Sequence, residues 1–82
     1  MFHKIVEIEA KDDFILIAKF ENGIKKKYDM KQLIDKYEIF KNLKENRLFY
    51  LVKVDVGGYG IFWNNDIDLS SEDIWENGIQ VQ

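Results

Sequence analysis

The chain has 82 residues, 46% of them hydrophobic and 33% charged, with no cysteine and no proline. That length holds one hydrophobic core and hence a single domain, 1–82, and the missing cysteine excludes a disulfide scaffold and any thiolate metal site. The net charge of −3 is unevenly laid out: residues 1–53 carry all 12 basic side chains against nine acidic ones, while residues 54–82 carry six carboxylates and no base. A split of that kind fits self-association or a charged partner. No apolar run exceeds five residues, as in Phe14 to Ala18, far short of the roughly 20 a membrane helix needs. Glu7 interrupts the start before a signal-peptide stretch develops. A cytoplasmic location without membrane contact is expected.

In chain order, residues 4–10 alternate, with Val6, Ile8 and Ala10 on one face and Glu7 and Glu9 on the other, the pattern of a half-exposed strand. Lys11-Asp12-Asp13 reads as a turn. Phe14 to Glu21 is apolar on both faces for most of its length, as a central strand covered on two sides would be. Asn22-Gly23 predicts a type I′ hairpin turn. The returning strand, Ile24 to Tyr28, places Ile24, Lys26 and Tyr28 on one face and Lys25 and Lys27 on the other. Asp29 and Gln32 form a capping-box pattern. Met30, Leu33, Ile34 and Tyr37 then make one apolar helical stripe.

Phe40 and Leu43 fall in an irregular stretch, and Glu45 to Phe49 predicts a helical turn. Tyr50 to Val56 alternates again, with Val52, Val54 and Val56 expected toward the core. Gly57-Gly58-Tyr59-Gly60 reverses the chain into a short strand, Ile61 to Trp63, and Asn64-Asn65-Asp66 turns it once more. Ser70 predicts the cap of a last helix, with Asp73 at its N3 position, Ile74 and Trp75 as anchors and Gly78 at its end. The final residues either fray or add a small edge strand. The predicted order, β-β-β-α-β-β-α, is an α+β fold: a mostly antiparallel sheet with helices on one side.

No stretch carries the full signature of a reactive or metal site. The glycines at 57, 58 and 60 precede a strand rather than a helix, so a turn explains them better than a phosphate cradle. Asp66 to Glu72 has the acidic density of a calcium loop, yet Ser71 stands at position 6 and Asn77 at position 12. A helix entry accounts for the same carboxylates. His3 is the only histidine, too few for a histidine zinc site. Lys25, Lys26 and Lys27 offer a basic strand, against an acidic chain with no basic recognition helix. Lysine on a strand also blunts edge aggregation. Trp63, Trp75, Tyr59 and Phe62 concentrate late in the chain, where an exposed aromatic suits an interface.

The segments Phe20-Glu21-Asn22-Gly23, Tyr28-Asp29, Gly57 to Trp63, Ile67-Asp68-Leu69-Ser70 and Glu76-Asn77-Gly78, together with Phe40, resemble the domain of unknown function 2442 family. The likeness covers nearly the whole chain and is most specific from Gly58 to Ser70. It implies a small α+β domain with no established activity, so it hands on no catalytic residue. It also implies pairing with a small protein encoded by the adjacent gene, in a toxin–antitoxin-like arrangement with this acidic chain as the antitoxin half.

The expectation is therefore a non-enzymatic protein-interaction module without cofactor or metal, forming a homodimer and binding a small protein partner. Phe62, Trp63, Asp66 and Trp75 are the expected partner contacts. The alternative is a nucleic-acid-binding regulator using Lys25, Lys26 and Lys27.

Overall fold

A computed structural model describes residues 2–81 as an α+β domain built on two antiparallel sheets. The larger contains β1 (Ile5–Lys11), β2 (Ile15–Phe20), β3 (Lys25–Asp29) and β7 (Ile79–Val81), side by side in that order. The smaller contains β4 (Lys53–Val54), β5 (Gly60–Phe62) and β6 (Asp68–Ser70), again in chain order. Two short helices complete the frame, α1 (Lys31–Lys36) and α2 (Ser71–Asn77), with 3-10 segments at Asp12–Phe14, Glu38–Lys44 and Leu48–Leu51. The single sheet expected from the sequence is thus divided in two, and the last residues form β7 against β3.

Strand alternation decides which residues reach the core. Leu16, Ala18 and Phe20 of β2 and Tyr28 of β3 are buried on the inner face, joined by Ile5, Met30, Ile34, Leu43, Phe49, Ile61, Ile67 and Ile74. The other face of β2 carries Ile15, Ile17 and Lys19, all only half-buried. That differs from the two-sided burial its sequence predicts: the apolar content is present on both faces, but within one chain only one face is covered.

Local turn chemistry differs from expectation at three places. Of Asn22 and Gly23 only the glycine has a positive φ, +89°. The Gly23 N–H donates to the Phe20 carbonyl, and the Phe20 N–H to the Ile24 carbonyl. This is a three-residue loop closed by a left-handed glycine rather than the tighter I′ turn. Asp29 accepts from the Lys31 N–H at 2.9 Å but stands one residue before the helix cap, Met30, which makes no side-chain cap bond. Gly78 ends α2 at φ −81°, outside the left-handed region. What requires glycine there is space, since a Cβ would lie 2.6 Å from the Ile74 carbonyl oxygen.

Ser70 does cap α2, accepting from the Asp73 N–H at 3.2 Å. The predicted strand 50–56 contracts to Lys53–Val54, because Leu48 to Leu51 winds into a 3-10 turn that buries Phe49. Val56, expected in the core, is 99% exposed beyond the strand's end. Alternation from Val52 through Val54 fails there because the chain leaves the sheet to begin the glycine turn.

Tyr28 is 2% exposed. Burial, reinforced by the nearby Asp73 carboxylate, pushes its hydroxyl up to about 12. A phenol raised above its unfolded value of about 10 stabilises the fold below that pH, and the contribution disappears as pH rises through the folded value. That rise corresponds to about 2–3 kcal/mol. Urea denaturation stepped from about pH 9 to 12 is expected to show this loss in the native chain. Tyr28→Phe is expected to lose less over the same interval. Parallel losses in both chains would remove Tyr28 as the cause.

Candidate functional site

The four expected partner contacts are not all at the surface. Trp63 is 6% exposed: its indole N–H donates to the Phe49 carbonyl at 2.9 Å, and its ring stacks on Phe49 with centroids 6.3 Å apart. It is a core residue, which corrects the expectation. Ile61 and Trp63 share a strand face, and that face turns inward. Phe62 necessarily takes the opposite side, half-buried, in a cross-strand row between Lys53 and Asp68.

Asp66 is exposed in the adjoining turn, where its N–H donates to the Asn64 side-chain oxygen. Ile67 donates to the same oxygen, so Asn64 sets the shape of the turn. Among the described residues Asp55, Asp66, Asp68 and Glu76 form no ion pair. Nor do three or more of the described His, Asp and Glu side chains gather as a metal would need.

Trp75 is half-buried on α2. The His3 imidazole stacks on it almost parallel, at 3.9 Å between centroids and 8° between planes. Phe20 meets it edge-on at 5.0 Å, and the Lys26 ammonium stands 4.6 Å from the ring centre. Glu72, one helical turn earlier, accepts from the His3 backbone N–H and lies 3.0 Å from the imidazole Nδ1. The His3 amide first and its imidazole second hold the Glu72 carboxyl below the usual carboxylate range. His3 is half-buried and fastens the strand start at β1 to α2. Sequence reasoning had no local signal for a contact between positions 3 and 72.

The lysine triplet divides as alternation requires. Lys26 belongs to the inner face, over Trp75, while Lys25 and Lys27 point to the outer face of the larger sheet. On that face the register lays out three rows. The first runs Glu7, Lys19, Lys25, Val81; the second Glu9, Ile17, Lys27, Ile79; the third Lys11, Ile15, Asp29. Two open depressions lie on this face, one of 580 Å³ bordered by Ile15, Lys27, Asp29 and Ile79, the other of 310 Å³ bordered by Glu7, Glu9, Ile17 and Lys25.

Compared with known proteins, residues 5–80 match the family model described as "Protein of unknown function (DUF2442)". No curated protein and no solved structure matches the chain.

Proposed function

From the premise that this chain belongs to the DUF2442 family of unknown function, we propose that it is a non-enzymatic protein-interaction module, the antitoxin-like half of a pair with a small basic protein. The observation that carries the reading is the solvent-facing row Lys53–Phe62–Asp68, with exposed Asp66 in the adjoining turn. Phe62 supplies apolar contact area, and the carboxylates around it lack cations of their own among the described residues. An apolar centre with a charged rim is the usual anatomy of a protein interface. The pairing with a neighbour's product rests on the family likeness alone.

Co-expression with the product of the adjacent gene tests it. A stoichiometric complex is expected that loosens in about 0.5 M salt, where exposed charges are screened within a few ångströms. Phe62→Ala combined with Asp66→Lys is expected to weaken it by about tenfold or more. A chain that elutes alone, with its neighbour soluble and free, ends the reading.

The nucleic-acid alternative has one observation in its favour, the placement of Lys19, Lys25 and Lys27 on one face. Glu7 and Glu9 stand on that same face, and a phosphate backbone would meet them too. Its signature would be retardation of DNA or RNA that falls steeply with salt.

A further inference from the structure

The outer face of the larger sheet carries a charge pattern that is complementary to itself. In each of its three rows β1 and β3 bear opposite charges on either side of β2: Glu7 and Lys25, Glu9 and Lys27, Lys11 and Asp29. At the centre lie Ile15 and Ile17, half-buried in a strand whose sequence is that of one covered on both sides. Ile79 adds a 70% exposed side chain at the rim. Among the described residues Glu7, Lys19, Lys25 and Lys27 have no ion-pair partner. Lysine stems can shield an isoleucine from water, but shielding alone does not require the sign of the charge to reverse in the third row on both strands at once.

We propose that this face binds a second copy of the chain, sheet against sheet, with a two-fold axis running along β2. A rotation about that direction keeps each row at its own level and exchanges β1 with β3. Glu7 of each copy then faces Lys25 of the other, Glu9 faces Lys27, Lys11 faces Asp29, and the isoleucines of β2 meet at the axis. An axis across the strands would bring Glu7 to Lys11 and Lys25 to Asp29 but stack Glu9 on Glu9 and Lys27 on Lys27, and so leaves fewer opposite-charge pairs. Packed sheets stand about 10 Å apart, a gap that a lysine and a glutamate side chain span between them. Only Lys19 meets its own kind, and Glu7 of both copies flanks it. The third row contributes least, because Lys11 already contacts Glu9 at 3.2 Å and Asp29 contacts Lys31 at 3.1 Å.

Strands about 4.8 Å apart rising about 3.3 Å per residue give the face a footprint of roughly 400 Å². That is below the roughly 800 Å² per partner of a standard interface. The dimer is accordingly weak, with a dissociation constant of about 10 μM to 1 mM. This inference uses a different surface from the partner site above, and either can fail without the other.

Two charge variants test it by sedimentation equilibrium, Glu7→Lys with Glu9→Lys, and Lys25→Glu with Lys27→Glu. The unmodified chain is expected to dimerise reversibly and to dissociate as salt rises. Each variant alone is expected to self-associate at least about tenfold more weakly, because like charges then face each other. Mixed in equal amounts, the two are expected to recover a one-to-one dimer, since each supplies what the other lost. That recovery also shows that both variants are folded. An unmodified chain monomeric at about 1 mM would overturn the proposal. So would variants that dimerise undisturbed, a mixture that stays monomeric, or charge changes that abolish only capture of the co-expressed neighbour.

Discussion

Phe49→Ala is expected to cost about 3–5 kcal/mol, the range for removing a buried aromatic ring. At this length total stability is roughly 4–12 kcal/mol, so the variant is expected to lose a large share of it. The ring is 1% exposed and sits among three others: Phe14 edge-on at 5.2 Å, Tyr50 at 5.6 Å and Trp63 stacked at 6.3 Å. Its carbonyl also receives the Trp63 indole N–H. Phe49 therefore ties the Leu48–Leu51 turn to the smaller sheet through both side chain and backbone. Phe49→Leu retains apolar volume and is expected to recover about half of the loss. Chemical denaturation followed by tryptophan fluorescence reads both variants, and a Phe49→Ala loss below about 1 kcal/mol would mean that the ring is dispensable.

The second large effect is expected at Gly58. Its φ is +80°, and a Cβ there would stand 2.6 Å from the Ile5 carbonyl oxygen and 3.2 Å from the Ile5 nitrogen. The Gly58 carbonyl accepts the Ile5 N–H at 2.8 Å, at the point where β1 passes the glycine turn of the smaller sheet. Alanine thus meets two penalties together, a left-handed backbone and a contact against main chain that cannot swing aside. Gly58→Ala is expected to destabilise by about 2–4 kcal/mol. Gly23→Ala is its control: the conformation is similar, φ +89°, but nothing lies within 4 Å of the added carbon. It is expected to cost only about 1 kcal/mol. Equal losses at the two sites would show that close approach contributes nothing at Gly58.

The contrast between these glycines marks what a sequence discloses. Both are legible as turn residues, because the need for a positive φ is local. That one of them also touches Ile5, more than fifty positions away, is a tertiary fact. Ser70 is legible for the same local reason, its oxygen reaching Asp73 three residues on. Val56 is misread because alternation cannot show where a strand stops. Trp63 is misread as a surface residue because periodicity groups residues into faces without saying which face is covered. The two-sided apolar character of Phe14 to Ala18 is correctly read as composition. Its explanation as burial within one chain fails, since Ile15 and Ile17 lie on the uncovered face. The charge rows on that face follow from register, which a three-residue loop and a bulge between Ile5 and Glu7 determine.

The grip of Glu72 on His3 joins residues 69 positions apart, and β7 reaches its place beside β3 only from the far end of the sequence. Made on a ribosome at about 5–20 residues per second, the β1–β2–β3 meander can pair early. It must then wait for residues 72–81 before its open flank is sealed and His3 is tied down. For some seconds each nascent molecule displays a half-dressed sheet inside a polysome, beside sibling chains with the same exposed edge. The lysines of β3 are well placed for that interval, since like charges keep such siblings apart.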